Sequence, residues 1–269
     1  MNHLSELENQ SIYIIREAYK QFRKIAVLWS IGKDSTTNVW LARKAFFGKL
    51  PFPVLHIDTG NKFPEMYTFR DHWAKEWGLE LLVAKNEEAM ARGIVCGRPG
   101  VDAMACSHEL KTVALQQAIR KYHFEALIVG IRRDEHGIRA KERVFSPRDQ
   151  KFRWDYKNQP AELWDQYRSH ADDQTHIRIH PLLAWTEMDI WQYVQREHIP
   201  VNPLYFARNG KRYRSLGCQS HTNPVESNAD TIDAVIEELK TTKIAERSGR
   251  SQDKEQADVM QRLRALGYM

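Results

Sequence analysis

Five short apolar runs punctuate the chain, at residues 25–29, 54–57, 79–84, 126–131 and 177–181. Their length and their charged or turn-forming flanks predict the strands of a parallel sheet covered on both faces. Between and around them, apolar residues recur at helical spacing. The 2–20 stretch carries Leu4, Leu7, Ile12, Ile15 and Ala18, and the 34–47 stretch carries Val39, Trp40, Ala42, Phe46 and Phe47. Pro64 opens a predicted helix to Trp77 that Gly78 closes, and 109–122 is amphipathic. Thr186 and Asp189 form a capping-box-like start for a helix through His198, and 230–239 predicts a last helix. Strands alternating with helices of this size predict an α/β fold with a doubly wound parallel sheet, whose ligands gather at the carboxyl ends of the strands.

The texture changes after Pro200. Tyr205-Phe206, Lys211-Arg-Tyr-Arg214, Leu216-Gly-Cys218 and Glu246-Arg-Ser-Gly-Arg250 mix aromatic, basic and turn residues. They predict that 201–269 forms an arm with its own helices, folded back over an ATP-binding domain of residues 1–200. The stretch 152–170 is aromatic but aperiodic (Trp154, Tyr156, Trp164, Tyr167), which predicts a structured loop with one helical turn.

Of 269 residues, 42% are apolar, enough for a sizeable core, and the net charge of +5 fits an anion-handling enzyme as well as a nucleic-acid binder, so it decides little. No apolar run approaches a membrane span, and the first residues lack a signal-peptide pattern. The three cysteines lack the spacing of a disulfide framework. A cytoplasmic protein with no membrane partner is therefore expected, and no nucleic-acid partner is expected either.

The candidate chemistry starts at the end of the first run, in Ser30-Ile-Gly-Lys-Asp-Ser35. A strand, a tight turn and a helix N-terminus present backbone N–H groups and a positive dipole end to an anion. Gly32 permits close approach of a phosphate, and Lys33 adds an exposed point charge. The turn is not a Walker A loop, because Val27 stands where its first glycine would be and Asp34 follows the lysine. The fourth run empties into Arg132-Arg133 and continues through Arg139, placing guanidinium forks that match tetrahedral oxyanions over the same sheet edge.

The loop resembles the pyrophosphate loop of the ATP pyrophosphatase (adenine-nucleotide α-hydrolase-like, PP-loop) superfamily. Its neighbours make the resemblance narrower. His56-Ile-Asp-Thr-Gly60, Lys62-Phe-Pro-Glu-Met66, Ile131-Arg-Arg-Asp-Glu135, Arg139-Ala-Lys-Glu-Arg143, Ser146-Pro-Arg-Asp149, Glu162-Leu-Trp164 and Leu216-Gly-Cys218 follow in order. Together they resemble the small, ATP-binding subunits of bacterial heterodimeric sulfate adenylyltransferase, relatives of phosphoadenylyl-sulfate reductases. The chain departs from that pattern in a short segment between Phe206 and Arg212 and in Gln219-Ser-His221.

The resemblance implies adenylyl transfer from ATP to sulfate, coupled to GTP hydrolysis on a translation-factor-like GTPase large subunit and serving sulfate assimilation. It further implies that Ser30, Gly32, Lys33, Asp34 and Ser35 hold the β- and γ-phosphates. Arg132, Arg133 and Arg139 would hold sulfate, and Asp58 would contact the ribose or Mg²⁺, the ion being held mainly by phosphates and water. Three other readings stay open: a different PP-loop adenylating enzyme, a thiol-dependent reductase relative, and a non-catalytic nucleotide-sensing subunit. Cys106-Ser-His108 and Cys218-Gln-Ser-His221 also have the spacing of paired metal ligands and could meet as a four-ligand zinc site pinning the tail to the core. The commoner alternative for such residues is cysteines buried as small hydrophobes and histidines in loops.

Overall fold

The structure is a computed structural model that describes residues 2–137, 139–159, 161–167 and 176–247. After helix α1 (His3–Gln21), the chain enters β1 (Ile25–Leu28), all four of whose residues are buried. It continues through α2 (Lys33–Ala45), β2 (Val54–Ile57), α3 (Pro64–Glu76) and β3 (Leu81–Ala84). Two short helices, α4 (Glu87–Ala91) and α5 (Ala103–Ser107), precede a π-helical turn (His108–Val113) and α6 (Ala114–Tyr122). Then come β4 (Ala126–Val129), β5 (Phe145–Arg148), β6 (His176–Ile179) and α7 (Glu187–Glu197). The small strands β7 (Lys211–Arg212) and β8 (Val225–Glu226) pair with each other before α8 (Ile232–Thr241).

The main sheet has the order β3-β2-β1-β4-β6-β5, parallel except for β5. The chain winds outward from β1 to one edge, then returns to lay β4 on the other side of β1. The strand order therefore reverses between β1 and β4, and a ligand crevice opens there in sheets of this kind. The expected doubly wound sheet is present, with one addition. Within the charged stretch that follows β4, residues 145–148 form the antiparallel strand β5. Pro147 in β5 hides that strand from a periodicity reading, and an edge is where a sheet tolerates proline. The predicted helix 109–122 likewise begins earlier, at α5, where the Asp102 side chain accepts the Ala105 N–H at 2.6 Å, and it passes through the π-helical turn.

Helix ends follow their sequence signals. Trp77 ends α3 with Gly78 at φ 59°, and Thr186 and Asp189 cap α7 reciprocally. Of the expected core aromatics, Trp29 is fully buried and donates its indole N–H to Thr36 Oγ1 at 3.0 Å, fixing β1 to α2. Trp40 is half-buried against Trp77. Among the described residues, no helix is long and apolar enough to cross a membrane.

Two buried histidines, His56 and His176, sit in strands of the sheet, and a third, His180, directly follows β6. His56 in β2 donates from Nδ1 to the Trp29 carbonyl at 2.8 Å, and His180 after β6 donates from Nδ1 to the Arg143 carbonyl at 2.7 Å. Burial, reinforced by neighbouring cations, drives the pKa of His56, His176 and His180 down to about 4, 3 and 4. In the unfolded chain each titrates near its ordinary value of about 6.5. Between those limits the unfolded chain binds protons that the folded chain refuses, so stability falls as pH falls through that window. Urea unfolding at pH 7, 6 and 5 is expected to show a loss steepening toward the uptake of three protons, about 1.4 kcal/mol per pH unit for each. A flat profile would mean that these rings are protonated in the fold.

Candidate active site

The turn between β1 and α2 is built from a left-handed residue. Ile31 adopts φ 67°, a costly conformation for a β-branched side chain, and Gly32 caps α2 in extended geometry. The hydroxyls of Ser30 and Ser35 lie 3.0 Å apart across the turn, and Ser35 also donates to the Gly32 carbonyl at 3.1 Å. Gly130, just after β4, runs against this turn so closely that a Cβ there would stand 3.0 Å from the Asp34 carbonyl oxygen. Two backbones thus meet at the point where the strand order reverses.

A cleft opens there. Leu28, Trp29, Ile57, Val129 and Ile131 give it an apolar lining at the strand ends. Ser30, Gly32, Lys33, Asp34 and Ser35 line it from the turn, and Lys62, Lys111, Arg139 and Arg247 add cations. Tyr205, Ser215, Leu216 and Gly217 close it from the C-terminal segment. The Tyr205 hydroxyl accepts the Lys33 backbone N–H at 2.9 Å, so the segment docks directly on the N-terminus of α2.

The charges in and under the cleft are paired densely. Lys33 is only 1% exposed, against the expectation of an exposed contact, because the C-terminal segment covers it. Its Nζ donates to the Arg214 carbonyl at 3.3 Å, lies 3.4 Å from Asp34 and 3.8 Å from Glu187, and is in direct contact with Glu246. Arg132 is fully buried and spreads its fork over three carboxylates: Asp34, Asp134 at 2.9 Å, and the other oxygen of Glu246. Asp134 in turn accepts the Glu187 N–H at 2.8 Å at the start of α7, and Arg214 reaches Glu187 at 2.6 Å. Burial alone would raise the Glu246 carboxyl pKa, but Arg132 and Lys33 outweigh it and hold the group ionised, well below the usual carboxylate range. Burial would likewise lower the Arg132 guanidinium, and Glu246, Asp134 and Glu187 raise it instead. A second pairing sits beside the first, with Glu135 bridging Arg139 and Arg247, the latter at 2.8 Å.

The expected site residues divide accordingly. Ser30, Gly32, Lys33, Asp34, Ser35 and Arg139 line the cleft, and Arg132 lies directly beneath it, held to Asp34. Arg133 does not join them. Consecutive residues leaving a strand point to opposite sides, so the fully buried Arg132 leaves Arg133 exposed. Asp58 does not line the cleft either. Its carboxylate is already used at the end of β2, accepting from Gly60 N–H and Tyr67 O–H at 2.8 Å each and pairing with Lys85 at 3.1 Å. Burial would raise its pKa, but those partners lower it, and it serves as a local brace for the 58–60 turn.

The expected zinc set is altered as well. Cys106, Cys218 and His221 converge, but His108 does not. Side chains two apart on a helix face different ways, and His108 turns to Glu109 at 3.2 Å. Cys96 takes its place, with its sulfur joined to that of Cys106 and 3.7 Å from that of Cys218. The sequence placed the 211–214 and 246–250 segments over the site as parts of an arm, of which 248–250 lie outside the described residues. It gave no individual role to Arg214, Glu246 or Arg247, because charge content without spacing does not say which residues pair. Glu187, at the start of α7, carried no signal.

Comparison with known proteins gives a consistent result. Residues 24–224 match the family described as the phosphoadenosine phosphosulfate reductase domain. The chain is similar to sulfate adenylyltransferase subunit 2 of Baumannia cicadellinicola subsp. Homalodisca coagulata and of Shigella dysenteriae serotype 1. Each is 45% identical over 299 aligned positions, which cover 100% of this chain and 98% of the relative. Among solved structures it resembles a phosphoadenylyl-sulfate reductase from Candida auris in a phosphate complex. That likeness has TM-score 0.55 and 17% identity, over 83% of this chain and 96% of that one. A Candida glabrata FMN adenylyltransferase in complex with ATP is also similar, with TM-score 0.55 and 17% identity over 82% of this chain and 63% of the other. At that identity these two structures speak for the fold alone.

The Glu246 bridge makes a prediction. Glu246→Ala deprives two buried cations of a shared acceptor, which should cost on the order of 1–3 kcal/mol of stability. Inorganic pyrophosphate should then stabilise the variant more than the parent chain, because the anion no longer competes with the carboxylate. Thermal unfolding with and without pyrophosphate reads both effects. Equal anion stabilisation of the two proteins would show that Glu246 and the anion do not share a place.

Proposed function

The chain belongs to the sulfate adenylyltransferase subunit 2 family, within the wider phosphoadenosine phosphosulfate reductase domain family, and on that premise we propose that it transfers the adenylyl group of ATP to sulfate. The products are adenosine 5′-phosphosulfate and diphosphate. The observation that carries this reading is the convergence of Lys33 and Arg132 on one carboxylate beside the N-terminus of α2, an arrangement suited to a leaving pyrophosphate.

In this reading Ser30, Gly32, Lys33, Asp34 and Ser35 hold the β- and γ-phosphates, and Arg132 joins them once Glu246 gives way. The apolar strand ends, Leu28, Ile57 and Val129, take the adenine. Arg139 and Arg247, now shared by Glu135, hold sulfate in line with the α-phosphorus. Arg133 and Asp58 take no part. Residues 1–200 carry the nucleotide, and the arm closes over it through residues 201–247, the remainder of the expected 201–269 arm lying outside the described residues.

A sulfate oxygen attacks the α-phosphorus, the new P–O bond forms, and the bond to the bridging oxygen of the β-phosphate breaks. Sulfate is already ionised, so no general base is required. The negative charge that builds on the departing pyrophosphate meets the α2 dipole, Lys33 and Arg132, and this positioning and electrostatic stabilisation is the main catalytic contribution. The carboxylates lining the cleft, Asp34 and Glu135, are already paired with arginines. Mg²⁺ would therefore be held mainly by phosphates and water, where it would neutralise phosphate charge.

The name subunit 2 borne by the relatives points to a partner subunit. We take that partner to be a GTPase whose hydrolysis drives the uphill formation of the phosphosulfate anhydride. Much of the aromatic 152–167 stretch is core: Phe152 and Trp154 are buried, and Tyr167 stacks on Phe145. Leu163 and Trp164 are exposed, Trp164 by 86%, and we assign them to the docking face.

Sulfate-dependent isotope exchange between pyrophosphate and ATP, measured with the GTPase partner present, tests the reading. Lys33→Met keeps the buried stem and removes the charge, and should slow exchange by about 10²-fold or more. Arg139→Ala should raise the sulfate requirement far more than the ATP requirement, and Arg133→Ala should change neither. Exchange that ignores sulfate, or that survives Lys33→Met, would overturn the assignment.

A further inference from the structure

All three cysteines of the chain meet behind the cleft, although they come from two distant segments. Cys96 and Cys106 bracket the loop leading into α5, and Cys218 begins the tight turn that carries His221. The three sulfurs are buried. The donor atoms of Cys96, Cys106 and His221 lie within 4.8 Å of one another, and Cys218 Sγ is 3.7 Å from Cys96 Sγ. His221 is half-buried with its Nδ1 shielded from solvent, and its ring is within reach of the Cys218 sulfur. Ala89 and Leu110 wall the cluster, with Met90, Ile94 and Val101 packed around it.

The surrounding backbone is shaped to bring these segments together. Gly97 sits at φ +83°, and a Cβ there would come within 2.3 Å of Ser220 Oγ. Asn61 fixes the other side, its carbonyl accepting the Gln219 N–H at 2.8 Å and its side chain accepting Ser220 Oγ at 2.7 Å. Thr222 donates to the Cys218 carbonyl at 2.8 Å. None of this geometry is needed by the nucleotide cleft, which Cys96, Cys106, Cys218 and His221 do not line.

We propose that, with Cys96 and Cys106 as thiols, Cys96, Cys106, Cys218 and His221 bind one zinc ion. Three thiolates and an imidazole are the donor set of a closed tetrahedral structural zinc site, and the soft sulfur ligands favour zinc over Mg²⁺ or Ca²⁺. Binding releases the three thiol protons to solvent and leaves one net negative charge on the centre. Lys62 and Lys111, both close enough to act on the Cys218 sulfur, carry the opposite charge and line the cleft. The ion would tie the 96–106 loop to the 218–221 turn, and so fix Leu216 and Gly217, which close the cleft from behind. The sulfur–sulfur link between Cys96 and Cys106 is the competing, metal-free end state.

The full chain, purified with a non-thiol phosphine reductant and without chelators, is expected to carry stoichiometric zinc by elemental analysis. Exchanged into cobalt(II), it should show the thiolate charge-transfer band and the intense visible bands of a tetrahedral site. Cys106→Ser and His221→Ala should lose most of the metal, whereas His108→Ala should keep it. The cobalt spectrum of the parent chain decides the matter even if a variant fails to fold. A reduced chain that takes up neither metal, or one isolated metal-free with Cys96 and Cys106 oxidised to a disulfide under those conditions, would overturn the proposal. So would a His108→Ala variant that loses the metal while His221→Ala retains it.

Discussion

A carboxylate held between two buried cations organises this protein. Lys33 and Arg132 come from the ends of adjacent strands and would be costly to leave dry without counter-charge. Glu246 reaches them from the far end of the chain and gives one oxygen to each. Asp34, Asp134 and Glu187 complete the shell, and through Glu187 and Arg214 the same charges tie α7 and the C-terminal segment to the turn. The arm is thus held over the cleft by the very groups that a triphosphate would use. In the proposed reading, a nucleotide that binds there would exchange one anion for another and would not have to desolvate bare cations.

The position of Cys218 separates the family's two chemistries. A thiol-dependent reductase needs its cysteine presented to the nucleotide. Here Cys218 is buried, faces Cys96 and Thr59, and does not line the cleft. The cleft instead offers cations to an anionic leaving group. Adenylyl transfer uses that arrangement directly, and thiol chemistry does not.

Much of the architecture was legible because it is local. Apolar runs gave every parallel strand, and the Pro64, Gly78, Thr186 and Asp189 signals gave helix ends. The Ser30–Ser35 turn was legible too, because a tight turn between a buried strand and a helix is written in consecutive residues. What was missed is nonlocal or masked by composition. Pro147 hid β5, and Glu246 and Arg247 stood in a basic tail with no spacing to connect them to Lys33 or Glu135. A run of two arginines does not say which one faces in; that is set by the pleat of the strand before it, and it leaves Arg133 exposed. His108 was misread for the same kind of reason, since the metal-like spacing Cys-x-His loses its meaning once both residues sit on helical turns.

The central claim is that ATP and Glu246 compete for Lys33 and Arg132. Hydrogen–deuterium exchange of the full chain, followed by mass spectrometry with and without ATP and Mg²⁺, tests it most directly. The account predicts opposite responses in two peptides: slower exchange across 30–36 as the turn takes the phosphates, and faster exchange across 242–247 as Glu246 is displaced. Slower exchange in both would mean that the nucleotide binds with Glu246 still in place, and would contradict the account.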